Sequence, residues 1–509
     1  MLARTNAATP WGIDARLVQV EVDVRNGLPG MHLVGLADVA VRESRERVRS
    51  AIKNCGFELP PRAVVVNLAP ADLRKEGNHL DLAIALALLA AHGHLPQECL
   101  EGRLFNGELG LDGRLRPVRG GLALAECARE AAAQEIVLPP STAREAVALG
   151  GLDVVAVERL DEAVRHLLGL DRLPVVTAGV ALGHEAGREM PDLSEVRGQG
   201  AAKRALEVAA AGSHNVIFVG PPGSGKTMLA RRLPGLLPPL APAEALAVTK
   251  IHSLSGNRPP SGLMRRRPFR SPHAGTSAAG LIGGGSIPRP GEASLAHHGV
   301  LFLDELPEFR RDALESLRQP LEEGFVSVVR SRARLTFPAR FALVAAMNPC
   351  MCGHLGDLRG RFQCRCAPNL VERYRSRISG PLLDRIDLHV EVPAVTLKEL
   401  RSEPGESSAD VAVRVAAARN RQQKRHSKAG GGESTTHNAG LSAEGVRRHC
   451  ALDLSAQRLL DSAFERLGLS ARAVHRILKV SRTLADLAGR DRIASADLAE
   501  AIQYRRNVG

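Results

Sequence analysis

The feature that most constrains this chain is a glycine-rich segment between a predicted strand and a predicted helix. The apolar run Val216–Val219 precedes the segment, and a helical pattern from Met228 to Leu233 follows it. The segment itself reads Gly220-Pro221-Pro222-Gly223-Ser224-Gly225-Lys226-Thr227. This spacing is typical of a phosphate-binding loop, in which backbone N–H groups surround the phosphates, Lys226 reaches the terminal phosphates and Thr227 holds Mg²⁺. A glycine-rich turn is the alternative, but the flanking strand and helix favour binding of a nucleoside triphosphate such as ATP.

Two more apolar runs end in polar residues that suit nucleotide hydrolysis. The run Val300–Leu303 ends in Asp304 and Glu305, which are placed to hold Mg²⁺ and to polarise the attacking water, respectively. An acidic helix cap after a core strand is the alternative for such an aspartate. The run Phe341–Met347 ends in Asn348, a sensor of the terminal phosphate or a strand-ending turn residue. Together with the phosphate loop, these residues predict an enzyme.

Two arginines suggest chemistry that subunits share. The segment Leu382–Asp387, which contains Arg385, resembles AAA+ ATPases, in which such an arginine reaches the γ-phosphate of the neighbouring subunit. The resemblance also identifies Arg472, at the start of a helical pattern that runs to Leu487, as the second sensor of the lid domain. An exposed helical arginine that only contacts water is the alternative for Arg472.

Composition and charge narrow the class of protein. The chain has 509 residues, which suggests about three domains. The longest apolar run, Leu82–Ala91, is too short to cross a bilayer, and residues 1–30 lack the pattern of a secretory signal. We therefore expect a cytoplasmic protein without a membrane partner. The net charge of +13 favours a polyanionic partner such as nucleic acid, although an arginine-rich composition alone would also produce it.

Basic residues alternate in a predicted hairpin between the Asp304 and Asn348 strands. Period two sends Arg330, Arg332 and Arg334 to one face if the extended pairing continues through them. Related AAA+ motors carry a hairpin there that points into the ring pore, and the resemblance implies DNA-binding arginines. Ordinary solvated hairpin charge is the equal alternative. Aromatic residues are only 3% of the chain, so contact with DNA is expected through charge and without sequence preference.

Four cysteines fall within one short segment beyond Asn348. They form two C-x-C pairs separated by eleven residues: Cys350, Cys352, Cys364 and Cys366. Four thiolates complete a tetrahedral Zn²⁺ shell, which would be structural because no position stays open for catalysis. Free thiols are the alternative, since C-x-C is tighter than the usual C-x₂-C spacing.

The N-terminal region, residues 1–170, is predicted to be a separate α/β domain, because short apolar stretches alternate with helical ones. Its segments 75–81 and 105–122 resemble the S5-type proteolytic domain of Lon proteases. The nucleophilic serine of that family would fall near His79, and its lysine near Ala123. Neither side chain supports Ser–Lys chemistry, so a peptidase is disfavoured. The resemblance implies a fold that serves assembly or substrate guidance.

The remaining boundaries follow from composition and helical pattern. We expect a linker at 171–191, an AAA+ P-loop α/β core at 192–400, a helix with a mobile linker at 401–440 and an all-helical lid at 441–509. The core includes a glycine-rich insert, Gly280–Glu292, similar to the helix-2 insert of the magnesium-chelatase branch.

Domain order and motifs over the whole chain closely resemble the YifB/ComM family of magnesium-chelatase-like AAA+ ATPases. Its distinctive strings are Pro288–Glu292, Leu301–Phe309 and Ser470–Val480. The resemblance implies a hexameric DNA motor, a helicase or translocase that promotes branch migration when transforming DNA is integrated, with recombination proteins as partners. A chelatase-like or protein-remodelling ATPase is the alternative.

Overall fold

The structure is a computed structural model that describes residues 1–36, 38–75, 77–177, 190–256, 262–285, 289–330, 333–356, 363–428 and 437–505. Only the backbone is described at six of these positions: Val39, Ala40, Val329, Arg330, Ala333 and Arg334. The chain divides into two compact units. The first unit contains residues 1–187, 242–264 and 329–336, and the second contains residues 188–241, 265–328 and 337–509. Two segments from inside the predicted core range 192–400 thus group with the N-terminal residues.

The first unit is built on a mixed seven-stranded sheet. Its strands are β1 Leu2–Trp11, β2 Asp14–Arg25, β3 Gly30–Val34, β4 Ala63–Ala69, β5 Arg103–Phe105, β8 Glu135–Leu138 and β9 Asp153–Ala156. A separate small hairpin joins β6 Glu108–Leu109 and β7 Leu115–Arg116. The sheet order is β3-β4-β2-β1-β5-β8-β9, in which β2 runs antiparallel to β1 and β4 and the other pairs are parallel. Alternate valines of β2 point into the core, as period two requires.

Six α-helices lie in the described part of the first unit: Val39–Asn54, Asp81–Ala91, Gly121–Glu130, Pro140–Ala146, Leu160–Leu167 and Pro242–Ser255. The helix Asp81–Ala91 is buried along its whole length because it is apolar on every side. The helix Pro242–Ser255 follows the phosphate-loop region in sequence but joins the first unit. Lys250 on this helix lies 2.7 Å from a carboxylate oxygen of Asp14 and also pairs with Glu126.

The second unit contains a five-stranded sheet whose described pairs are all parallel. Its strands are β10 Val216–Val219, β11 Phe269–Arg270, β14 Val300–Leu303, β17 Ala342–Met347 and β18 Leu388–Glu391. The order is β11-β14-β17-β10-β18, which places β17 at the centre and β10 between β17 and the edge strand β18. Strands β14 and β17 are buried throughout, as continuous apolar runs in a parallel sheet require. The carboxyl ends of β10, β14 and β17 therefore meet at one edge.

Several mostly short helices accompany this sheet in the second unit. They are Gly200–Gly212, Lys226–Ala230, Leu233–Leu236, Ala278–Ile282, Glu292–Leu295, Arg311–Ser316, Arg318–Glu323, Pro368–Arg375, Gly380–Leu383 and Leu397–Leu400. The glycine-rich insert contains a two-stranded pair, β12 Gly283–Gly284 with β13 Arg289–Pro290. The predicted basic hairpin pairs β15 Phe325–Arg330 with β16 Ala333–Pro338.

The C-terminal part of the second unit is helical, as predicted for the lid. Its helices are Ser408–Lys428, Ala443–His449, Leu454–Leu467, Ala471–Leu487 and Ser495–Gln503. Most of the predicted linker at 171–191 lies outside the described residues, namely 178–189. The predicted mobile loop within 401–440 lies partly outside them, at 429–436. No helix in the described ranges combines the length and the apolar character needed to cross a membrane.

Candidate functional site

The predicted phosphate loop leaves β10 and enters the helix Lys226–Ala230. Gly220 packs so closely that a Cβ there would lie 2.0 Å from the carbonyl oxygen of Val392. Gly223 and Gly225 have φ values of +75° and +93°, and a Cβ at either would meet no atom within 4 Å. The buried Ser224 hydroxyl has no hydrogen-bond partner among the described residues. The loop therefore offers open space and an unsatisfied donor to a phosphate group.

The Lys226 side chain is buried against the loop that precedes it. Its Nζ donates to the carbonyl oxygens of Gly220 at 2.7 Å and Pro221 at 2.8 Å, and to Oδ1 of Asn348 at 3.1 Å. Burial lowers the pKa of Lys226, and the carboxylates of Asp304 and Glu305 oppose that shift. A triphosphate would supply stronger, charge-assisted acceptors than these neutral carbonyls.

The two predicted Mg²⁺ ligands lie in direct contact. The Thr227 hydroxyl donates to Oδ2 of Asp304 at 2.7 Å, although Thr227 lies on the helix after the loop and Asp304 follows β14. A hydroxyl and a carboxylate are the hard oxygen ligands that Mg²⁺ uses beside phosphates and water, so the donor set fits this ion. Glu305 is exposed and has a left-handed backbone with φ of +51°, which directs it differently from Asp304. Its N–H donates to Oδ1 of Asp304 at 3.0 Å.

Asn348 joins this site from the end of β17. Its contact with Lys226 places an amide side chain beside the lysine that is predicted to reach the terminal phosphates. Tyr374, on the helix Pro368–Arg375, contacts the backbone of Asn348, and sequence reasoning missed this residue. Burial, with a smaller contribution from Glu308, raises the pKa of Tyr374 to about 12, although a backbone hydrogen bond from Asn348 opposes the shift. A phenol that lies far along the chain gives no local sequence signal for this role.

Arg385 is held by groups of its own chain. Its side chain is 7% exposed, and Nη2 forms an ion pair with Glu322, which is 54% exposed. Nη1 donates to the carbonyl oxygen of Pro381 at 2.5 Å, and Nε has no partner among the described residues. Glu322 is a second residue that the sequence did not reveal, because the pairing spans 63 residues.

Arg385 and Arg472 line the same cavity, which has a volume of about 190 Å³. Its remaining lining residues are Glu322, Asp384, His475, Arg476 and Lys479. No residue of the phosphate loop, all of which is described, lines this cavity. The predicted arginine finger Arg385 and the predicted second sensor Arg472 thus line one basic surface, separately from the loop of the same chain.

A buried polar network joins this basic surface to the sheet. Asp387, two residues after Arg385, accepts a hydrogen bond from the backbone N–H of Asn215, lies 3.0 Å from Nδ1 of His214, and pairs with Arg476 of the lid helix Ala471–Leu487. Nε2 of His214 lies 2.7 Å from the hydroxyl of Thr483 on the same helix. The ionic partners Arg476 and His214 hold the pKa of Asp387 well below its usual range, despite the opposing effect of burial. The network therefore fixes the orientation of the lid helix.

The four cysteines predicted to bind metal converge. Sγ of Cys350 lies 3.3 Å from that of Cys352 and 3.7 Å from that of Cys364, and Cys352 and Cys364 are 3.6 Å apart. All four sulfurs, including that of Cys366, lie within 4.8 Å of one another. A tetrahedral Zn²⁺ site with bonds of about 2.3 Å has sulfur–sulfur edges of roughly 3.8 Å. The donor set and its spacing fit zinc.

Backbone groups support the ionised form of one of these thiols. The N–H groups of His354 and Arg365 lower the pKa of Cys352 to about 6. The pKa of Cys366 is raised, because nearby cysteines and burial outweigh a backbone hydrogen bond. A divalent cation would favour the thiolate form of all four, since metal binding requires deprotonated sulfur.

The predicted DNA-contact arginines belong to the hairpin of β15 and β16. Arg332 lies outside the described residues, and so do the side chains of Arg330 and Arg334. The described residues of the segment 329–336 belong to the first unit. Within that unit Leu335 is buried and lies next to Gly12.

The positions at which a Lon-type protease would carry its reactive side chains are both buried in the first unit. A buried imidazole occupies one of them, and burial lowers the pKa of His79 to about 4, against the attraction of Asp38. Ala123 occupies the other and is 1% exposed. Nearby, Arg47 and Asp81 form a 2.9 Å ion pair. His79, Asp81 and Ala123 are thus buried parts of the packed first unit.

Three stretches of the chain match families of known proteins. Residues 192–400 match the family described as magnesium chelatase, subunit ChlI, residues 20–142 match subunit ChlI of Mg-chelatase, and residues 405–505 match its C-terminal part. Among curated proteins, the competence protein ComM of Haemophilus influenzae is 44% identical over 100% of this chain and 98% of that protein. YifB of Escherichia coli K12 is also 44% identical, over 99% of this chain and 96% of its own length.

The chain belongs to the YifB/ComM family of magnesium-chelatase-like AAA+ ATPases. This confirms the family predicted from the motifs, and the α/β core with a helical C-terminal region fits it. A more distant relative of this chain is the magnesium-chelatase 67 kDa subunit of Heliobacterium mobile, which is 27% identical over 40% of this chain and 34% of that subunit.

Proposed function

We propose that this protein is an ATP-driven DNA motor, a helicase or translocase that promotes branch migration while transforming DNA is integrated by homologous recombination. The observation that carries the ATPase part is the meeting of Lys226 with Asn348 and of Thr227 with Asp304 at one sheet edge. The relative named a competence protein, similar along its full length, directs the proposal to DNA. The protein would act in the cytoplasm as a homo-hexamer, with recombination proteins as partners.

Each side chain of the site has a role that its position supports. Bound Mg²⁺ would neutralise charge on the phosphates, with Thr227 and Asp304 as its protein ligands. Lys226 would exchange its loop carbonyls for phosphate oxygens. The exposed Glu305 carboxylate would accept a proton from the attacking water, and Asn348 would orient the reacting groups.

Arg385 and Arg472 would act from the next protomer of the ring. Their shared cavity contains no phosphate-loop residue of the same chain, so a second subunit is the natural source of the phosphate that they bind. A head-to-tail ring supplies such an interface at every subunit boundary. Hydrolysis at that boundary would then move the basic elements that hold DNA, with Arg330, Arg332 and Arg334 as the proposed contacts.

The four cysteines would hold a structural Zn²⁺ ion. The sulfurs of Cys350, Cys352 and Cys364 lie 3.3 to 3.7 Å apart, and all four sulfurs lie within 4.8 Å of one another, which supports this assignment. Eight free cysteines and no disulfide among the described residues fit a reducing compartment, in which thiolate–metal sites persist.

ATPase assays with and without DNA test the function. We expect single-stranded or branched DNA of any sequence to raise ATP turnover, and the stimulation to fall steeply as salt rises from 50 to 200 mM. Lys226→Ala is the control that removes turnover under all conditions. Turnover that is unchanged by every DNA structure at low salt would contradict the proposal.

A chelatase-like or protein-remodelling ATPase is the second candidate. The three magnesium-chelatase family matches and the Heliobacterium relative favour it. It predicts that turnover responds to a protein partner and is indifferent to DNA, so the same assay separates the two candidates.

A further inference from the structure

The cysteine loop contacts the phosphate loop directly. Gly353 lies between the two C-x-C pairs, and a Cβ on it would come within 2.5 Å of Cδ and 2.8 Å of Cγ of Pro222. Pro222 is the third residue of the phosphate loop and is otherwise exposed. Gly353 is buried, so this contact is part of the packed structure and not a chance approach of two surface groups.

One hydrogen-bonded turn connects the cysteine sulfurs to this contact. The N–H of Gly353 donates to the carbonyl oxygen of Cys350 at 3.0 Å, which closes a turn that contains Cys352. Cys350 is fully buried and comes two residues after Asn348. The same strand end also binds the other side of the phosphate loop, because the N–H of Gly220 donates to the carbonyl oxygen of Met347 at 3.2 Å.

We propose that the metal-bound cysteine loop is a positioning element of the nucleotide site. Four thiolates on one ion would fix the Cys350–Gly353 turn, and the turn would hold Pro222 and the loop carbonyls in the shape that binds a triphosphate. In the described part of this loop Met351 is exposed and a Cβ on Gly356 would meet no atom within 4 Å, so the ion would add the link between the two C-x-C pairs. The inference depends on the proposed zinc site and ATPase, and it assigns to the zinc a role in nucleotide affinity.

A matched pair of glycine variants tests the contact. Gly353 and Gly356 have φ values of +84° and +73°, so alanine is conformationally unfavourable at both. Only Gly353→Ala places a methyl group against Pro222. We expect Gly353→Ala to weaken binding of a fluorescent ATP analogue roughly tenfold relative to Gly356→Ala, with both proteins retaining one zinc per chain. Equal affinity of the two variants would overturn the inference.

A metal-ligand variant tests whether the ion acts through this contact. Cys364→Ser is expected to lose zinc and to weaken nucleotide binding by a similar factor, whereas Cys99→Ser, which changes a thiol of the first unit, keeps both. If the ion acts through Gly353, the double variant Gly353→Ala with Cys364→Ser is no weaker than either single variant, because both remove the same support. Multiplied losses in the double variant, or wild-type protein without zinc, would overturn the inference.

These results are separable from failure of the proposed function. A protein that binds ATP and zinc but ignores DNA would contradict the motor, and the comparison of Gly353→Ala with Gly356→Ala would still decide whether the cysteine loop supports the phosphate loop. Thermal unfolding of each variant shows whether the second unit is folded. A variant that binds zinc at one equivalent has a formed cysteine loop, so its nucleotide affinity then reports the contact itself.

Discussion

Replacing Arg385 with alanine is expected to abolish most ATP turnover in the assembled protein without unfolding it. The side chain is buried, but its ionic partner Glu322 is half exposed and stays solvated when the arginine is removed. The stability cost of losing this pair is therefore about 1 kcal/mol or less. The backbone carbonyl of Arg385, which accepts a hydrogen bond from Asn215 at 2.9 Å, is unaffected by the change. An arginine that stabilises the transferring phosphoryl group contributes roughly 10³-fold to the rate, and we expect a loss of that size.

Mixing experiments show which subunit supplies the arginine. Arg385→Ala protein keeps an intact Lys226, and Lys226→Ala protein keeps an intact Arg385, so each variant alone is inactive. If the site is shared, a random ring of equal parts contains some boundaries with both residues intact. That fraction is about one quarter, because half of the sites have the lysine and half of their neighbours have the arginine.

The assay is steady-state ATP turnover of the equimolar mixture after subunit exchange. Because about a quarter of the boundaries are intact, we expect the mixture to reach up to about a quarter of the wild-type turnover at equal total protein. This rate is well above the sum of the rates of the two variants. A control mixture of Lys226→Ala with Asp304→Ala, which damage the same half of the site, stays inactive. A first mixture that is no more active than its components would refute the shared site and return Arg385 to its own chain.

Three more outcomes are expected. Glu305→Gln removes the proposed base, so it is expected to bind ATP normally and to lower turnover by at least about 10²-fold, and normal turnover would remove Glu305 from that role. Replacing Arg330, Arg332 and Arg334 by alanine is expected to abolish strand displacement while basal turnover persists; equal loss of both activities would argue against a DNA grip. The pKa of His79 is about 4 when folded, below its usual 6.5, so the folded state resists protonation and its stability falls as pH decreases between these values. The loss is about 1.4 kcal/mol per pH unit, and His79→Gln should flatten the pH dependence of unfolding by that slope; an unchanged slope would contradict a buried neutral imidazole.

The meeting of Lys226 with Asn348 and of Thr227 with Asp304 was predictable, because these residues lie at or shortly after the ends of parallel strands. The strand pattern before Gly220, Asp304 and Asn348 suffices to place them at one edge, since carboxyl ends of parallel strands meet. The family was predictable from the same motifs. The α/β core and the helical C-terminal region follow from apolar runs and helical periodicity, which are local properties.

The features that sequence reasoning missed depend on contacts between distant residues. The ion pair of Glu322 with Arg385 and the contact of Gly353 with Pro222 have no local pattern. The assignment of the helix Pro242–Ser255 to the first unit rests on tertiary interactions such as those of Lys250. Its helical pattern would be the same in either unit, so periodicity alone is uninformative about its location.

Branch migration of a four-way DNA junction tests the central claim most directly. Purified protein is mixed with a junction whose arms are of arbitrary sequence, and the separated duplex products are measured with ATP and Mg²⁺. We expect products to accumulate with wild-type protein and ATP, and not with Glu305→Gln or without ATP. Protein that hydrolyses ATP at full speed and binds the junction, yet releases no product, would contradict a DNA motor.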